Sequence, residues 1–365
     1  MSVPFLDLKA AYRELRTEID EAVARSIGSG WYIGGPELER FEEKFAAHAG
    51  AAHAVGVANG LDALHLGLRA MGVRPGDEVI VASNSYIATL LAVTMAGATP
   101  VLVEPDALTH NLDPALVEAA ITPRTRVILP THLYGQPVDL DPLLALAIRH
   151  GLKLLEDAAQ AHGSSYRERP IGAHGHAVAW SFYPSKNLGA LGDGGAVTTN
   201  DPMLADRIRT LGNYGSHVRY VNEIRGFNSR LDPLQAAVLS AKLPLLEEWN
   251  ERRARIAARY LDELGGCDLE LPVVPEWAAP AWHLFVVQSD DRDALQRRLA
   301  DAGVQTLIHY PIPPHRQQAY ADLGHGPGSF PVAERLAARV LSLPIGPHLT
   351  ISQVDQVIAC LKAAA

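Results

Sequence analysis

Along the first 200 residues, short apolar runs alternate with longer amphipathic ones. "HAVGVAN" (53–59), "DEVIVAS" (77–83), "TPVLVEP" (99–105), "RVILP" (126–130) and "LKLLED" (152–157) read as strands. Between them, 61–72, 86–97, the stretch near 114–121 and 140–151 carry helical spacing. The strands show no alternation of polar and apolar residues. Strands of that kind, separated by helices, predict a mostly parallel sheet buried on both faces. "AVAWSFY" (177–183) and "GGAVTTN" (194–200) add two more strands.

The texture changes near 233. Residues 233–264 read as one long helix or two, with Pro244 as the kink or break. Beyond them a smaller set is expected: a strand at "HLFVVQS", a helix at "DALQRRLADAG", a strand at "VQTLIHY", and helices near 331–341 and 352–363. This predicts an α/β protein with a large domain over 1–250 and a small C-terminal one over 251–365. The N-terminal helix is free to pack on either.

Composition narrows the function. The chain has 365 residues, 48% of them hydrophobic, a formal charge of −9 and a pI near 5.9. That is ample for two cores, and no basic block offers a face to nucleic acid. Cys267 and Cys360 stand far apart, so neither a disulfide framework nor a cysteine metal site is expected. The N-terminus is charged and amphipathic, unlike a signal peptide. The longest uncharged run, 87–103, is interrupted by Gly97 and Pro100 and reads as helix, turn and strand rather than a membrane span. The expectation is a soluble cytoplasmic protein.

Three places could carry chemistry. Asp157 ends a strand, with Gln160 close behind, where open α/β sheets meet their ligands. It could equally cap a helix beginning at "AAQAH". Lys186, in "SFYPSKNLGALGDGGAV", follows an apolar strand; desolvation there would free its amine as a nucleophile, though a solvated turn lysine fits too. "ANGLDAL" (58–64) joins a strand to a helix and could offer amides to an anion, or be an ordinary turn. No GxxxxGK[ST], HExxH or GxSxG motif is present. One ligand would use all three places. A phosphate would sit on the amides of Gly60 and Leu61, an aldehyde on Lys186, and a pyridine nitrogen against Asp157. That ligand is pyridoxal 5′-phosphate.

With these residues assembled, the chain resembles the DegT/DnrJ/EryC1/StrS family of sugar aminotransferases, over nearly its whole length. "LLEDAAQAHGSSY" followed by "SFYPSKNLGALGDGGAV" is the specific pair; "GSGWYIGG", "GFNSRLDPLQAAVL" and "HYPIPPH" extend it. The resemblance implies the type I, aspartate-aminotransferase-like fold. It also implies that Lys186 holds the cofactor covalently, that Asp157 meets the ring nitrogen and Gln160 the ring hydroxyl, and that Ser181 joins the Gly60 amides on the phosphate. Tyr86 matches the aromatic that stacks on the ring. Asn228 matches an asparagine that reaches the phosphate from a second subunit, which implies a homodimer with shared active sites. Tyr183, His309 and Tyr310 would line the sugar pocket, and Arg219, with Arg225 and Arg230 as alternatives, would meet a nucleotide diphosphate.

The family often has threonine where this chain has Leu61, so one phosphate contact is lost. Lys186 stands where the dehydratases of the family carry histidine, which favours transamination. The implied reaction moves the amine of L-glutamate to C3 of a dTDP-3-keto-6-deoxyhexose. A C4 or cyclitol aminotransferase, and a PLP-binding regulatory protein without turnover, are the rival expectations.

Overall fold

A computed structural model describes residues 2–364. Its central sheet has seven strands in the order His53–Val57, Gly195–Thr199, Ala177–Ser181, Lys153–Asp157, Thr125–Leu129, Glu78–Ala82, Thr99–Val103. Pairing is parallel everywhere except around Gly195–Thr199, which runs against both of its neighbours. Six strands therefore point one way and deliver their C-terminal ends to one edge.

Successive residues of each strand feed opposite layers. Ile80, Ala82, Ile128, Leu154, Val178 and Trp180 join one apolar cluster with the helix Pro36–His48. Val79, Val81, Val127, Leu129, Leu155 and Ala179 join another beneath the helices Gly60–Ala70 and Ile87–Met95. With both faces covered, neither can tolerate polar residues, which explains the absence of alternation.

Pro244 does break the predicted long helix. Pro233–Lys242 and Leu246–Glu263 are separated by a 3-10 turn over Leu243–Leu245. The second helix touches several cores in turn: Leu246 belongs to the sheet, Trp249 meets Leu15, Ile19 and Val238, and Ile256 and Tyr260 join Phe285, Leu299, Leu341 and Val357. The helix Arg16–Ser29 thus packs beside Val238 and Trp249, while Val3 reaches the C-terminal core.

Two expectations need correction. The helix predicted to 72 ends at Ala70, and Gly72 turns the chain at φ 89°. The strand expected over 304–310 is not continuous: Val304 bridges only Val3, and Leu307 only Ser342. Gln305 gives its amide to Val3 O, so the start of the segment pairs with the N-terminus, and Phe285–Gln288 and Val340–Leu343 remain a two-stranded pair. No helix among the described residues is long and apolar enough to cross a membrane.

Candidate active site

The C-terminal edge of the sheet gathers the chemistry. Val57 hands over to Gly60, Ala82 to Tyr86, Leu129 to His132, and the next two strands end in Asp157 and Ser181. The alternative reading of Asp157 as a helix cap does not hold, because residues 158–164 contain turns and no helix. Its Oδ1 accepts the Ala159 amide at 3.1 Å and its Oδ2 the Thr89 hydroxyl at 2.9 Å. Burial pushes this carboxyl up; the Ala159 amide, Thr89 and the nearby Lys186 pull the other way.

Lys186 sits on the connection between the antiparallel strands Ala177–Ser181 and Gly195–Thr199. Its amide bonds Tyr183 O at 2.9 Å, which fixes the turn. Its Nζ makes no hydrogen bond or ion pair among the described residues. Burial lowers its pKa to about 8 against the opposing charge of Asp157. A solvated turn lysine would show no such shift, and the adjacent Ser185 does not pair with it.

At the start of the helix Gly60–Ala70, Asn59 accepts the Asp62 amide at 2.8 Å. The amides of Gly60 and Leu61 have no intrahelical acceptor and face outwards. A Cβ on residue 60 would lie 2.6 Å from Ser181 Cβ and 3.1 Å from its Oγ. Glycine is thus required for the Ser181 hydroxyl to come up beside those amides.

Gln160 is clamped. Its Oε1 accepts the Tyr134 amide at 2.5 Å and its Nε2 donates to Tyr310 at 3.2 Å. The Tyr310 ring lies 5.0 Å from that of Tyr86, tilted by 32°. Tyr134 donates in turn to His309 O, and His309 Nδ1 meets Ser342 Oγ at 2.8 Å. Burial, helped by Lys186, lowers His309 to about 4, so the imidazole is neutral near pH 7.

The chain thus brings together Gly60, Leu61, Tyr86, Asp157, Gln160, Ser181, Lys186, His309 and Tyr310. Tyr183, at the head of the lysine turn, is exposed. Within the chain Arg230 holds Asn228 Oδ1 at 2.6 Å, and Arg219 lies over the exposed Tyr220 ring.

Sequence reasoning missed several supporting residues. Thr89 lies three residues after Tyr86, one helical turn along, and that spacing was the available signal. His132 receives the Val138 amide on Nδ1 at 3.1 Å, so its Nε2 carries the proton and donates to Glu156 at 3.0 Å. Its own amide bonds Asp157 O at 3.0 Å. Asn187, beside the lysine, donates to Ala281 O at 2.7 Å and to Asn250 at 2.8 Å, tying the turn to distant segments.

These residues fit pyridoxal phosphate. They offer free amides with a hydroxyl for a dianion, an unpaired amine for an aldehyde, and a buried carboxylate with an amide and a hydroxyl already on it for a pyridinium. Among the described residues no group of histidine, cysteine and carboxylate side chains could hold a metal ion.

Known proteins agree. Residues 13–362 match the DegT/DnrJ/EryC1/StrS aminotransferase family. The chain is 62% identical over 366 residues to the erythromycin biosynthesis sensory transduction protein EryC1 of Saccharopolyspora erythraea, covering 100% of both chains. It is 56% identical to the dTDP-3-amino-3,4,6-trideoxy-alpha-D-glucose transaminase of Streptomyces venezuelae, covering 99% of this chain and 95% of that one. The structure of NtdA from Bacillus subtilis with bound cofactor PMP superposes at a TM-score of 0.92 with 33% identity, over 99% of this chain and 85% of that one.

Proposed function

The chain belongs to the DegT/DnrJ/EryC1/StrS aminotransferase family, and from that premise we propose that it moves the amine of L-glutamate to C3 of a dTDP-3-keto-6-deoxyhexose. The coarser statement needs no proposal: this is a pyridoxal-phosphate-dependent aminotransferase of nucleotide sugars. The S. venezuelae relative, whose product carries nitrogen at C3 of a dTDP-sugar, supports the finer one.

The observation that carries the residue roles is the unpaired, desolvated Lys186 beside the buried carboxylate of Asp157. Bound there, pyridoxal phosphate supplies an aldehyde for the incoming amine and an electron-withdrawing ring. Asp157 keeps a proton on the ring nitrogen. Gln160, held between Tyr134 and Tyr310, would meet the ring hydroxyl, and Tyr86 would lie against the ring. Gly60, Leu61 and Ser181 anchor the phosphate. Lys186 Nζ takes the proton from the donor Cα and later returns one to the sugar carbon. With a pKa of about 8, a useful fraction of that amine is free near neutral pH. Tyr183, His309 and Tyr310 wall the sugar side. Asn228, whose neighbour Ser229 accepts the Ala58 amide close to the Gly60 turn, and Arg219 would act from a second copy in a homodimer.

The test is incubation of the holoenzyme with L-glutamate and a dTDP-3-keto-6-deoxyhexose, with product NMR locating the carbon that bears nitrogen. Nitrogen at C4, or no turnover, would reject the finer assignment. Lys186→Ala is expected to abolish the glutamate half-reaction, and full activity in that variant would remove Lys186 from its role.

A further inference from the structure

On the helix Leu246–Glu263, Arg253 points inward with Trp249, Ile256 and Tyr260, while its neighbour Arg252 bonds Glu14 and Glu248. Arg253 is 3% exposed and has no carboxylate partner among the described residues. Its Nη1 donates to Trp282 O, His283 O and Ile345 O at 3.1–3.4 Å. Its Nε is buried without any acceptor. A buried guanidinium left in this state is costly unless an anion completes it.

Arg253 lines a cavity of about 70 Å³. One water needs roughly 10–15 Å³ of such space, so a group of several heavy atoms fits. Lys186 and Lys242 line the same cavity, as do Asn187, Trp249 and His348. Lys242 is 6% exposed and spends one proton on Gly189 O at 2.7 Å. Among the described residues no carboxylate bonds Lys242 or Arg253. Asp7, the one acidic residue on the wall among the described residues, is taken by Arg13 and the Lys9 amide, and His348 is taken by Glu14. Burial without a counter-charge pushes Lys242 to about 8 and Arg253 to about 10.

We propose that this cavity binds a carboxylate group through Arg253 and Lys242, and that the amino donor supplies it. The second part rests on the aminotransferase reading. Lys186 lines the same cavity, so a donor whose carboxylate sat on Arg253 and Lys242 would have the reactive lysine on the wall beside it.

Glutarate, a dicarboxylate with no amine, is the probe. Calorimetry on the wild-type holoenzyme is expected to show binding, and Lys242→Gln and Arg253→Gln to weaken it tenfold or more. In kinetics, glutarate is expected to compete with L-glutamate, and both variants to raise the KM for L-glutamate tenfold while the KM for the nucleotide sugar moves less than twofold. Lys242→Gln keeps a donor for Gly189 O, so it carries the test if Arg253→Gln fails to fold. Unchanged glutarate affinity in a folded Lys242→Gln variant would overturn the site. Non-competitive inhibition that the variants abolish would overturn the donor as occupant and assign the cavity to an independent carboxylate effector. Calorimetry needs no turnover: a wild-type protein that binds glutarate but transfers no amine would sink the aminotransferase reading and leave the site standing.

Discussion

Replacing Thr89 by valine removes one oxygen from behind the cofactor site and leaves the shape almost unchanged. The hydroxyl donates to Asp157 Oδ2 at 2.9 Å, and Thr89 is fully buried, so no water can take its place. A hydrogen bond to a charged group contributes about 1.5–3 kcal/mol. At 1.36 kcal/mol per unit, its loss raises the Asp157 pKa by roughly one to two units. The sign follows from the groups around the carboxylate. Burial already pushes it up, and Thr89 is one of the few groups pulling it down. In the proposed mechanism Asp157 works as the anion, so its protonation would end activity on the acid side. The assay is the rate at which L-glutamate bleaches the holoenzyme absorbance, measured against pH. In Thr89→Val the acid limb is expected to move up by about one unit or more, while the rate on the plateau falls far less. Thr89→Ser keeps a hydroxyl and should restore the limb. An acid limb that stays in place in Thr89→Val, with the fold intact, would refute the claim that Thr89 holds Asp157 ionised.

Gly60→Ala puts a methyl 2.6 Å from Ser181 Cβ and should weaken cofactor binding at least tenfold with far-UV circular dichroism unchanged; cofactor titration reads this. Leu61→Thr supplies a hydroxyl at the helix N-terminus and should tighten cofactor binding several-fold, at a cost of about 1 kcal/mol in the apolar layer it leaves, read by the same titration and by thermal unfolding. His110 is buried against Gln288 and its pKa falls from 6.5 to about 4. Between those values the unfolded chain binds the extra proton, so stability rises with pH, by roughly 3 kcal/mol from this residue. His110→Gln should therefore flatten the loss of unfolding free energy between pH 6.5 and 4, and an unchanged slope would contradict the assignment.

The sheet was legible because its strands are covered on both faces. Residues such as Val79 to Val81 must all be apolar, and no other element of that length reads so. The Pro244 break was legible because proline removes a specific amide. The segment 304–310 misled for the opposite reason: Val304, Leu307 and Ile308 look like a strand, but the partner at its start is the distant N-terminal Val3. Asp157 and Lys186 were legible as candidates, yet the contacts that tune them are tertiary. Thr89 comes from another crossover, and Tyr134 reaches Gln160 only because its backbone turns to φ 63°. Arg253 was hidden by its own chemistry, since two adjacent arginines on a charged helix suggest solvent. Counting from Trp249 to Ile256 and Tyr260 at helical spacing would have put it on the inner stripe.

The reversed strand Gly195–Thr199 has a consequence for synthesis on the ribosome. It lies between the strand that opens the sheet, His53–Val57, and the one that ends in Ser181. Gly60 reaches Ser181 only once that strand is in place between their two segments. The phosphate end of the proposed cofactor site can therefore assemble only after residue 199 has cleared the exit tunnel. Until then the early βα units must wait with one sheet edge open, the interval in which a chaperone would find them.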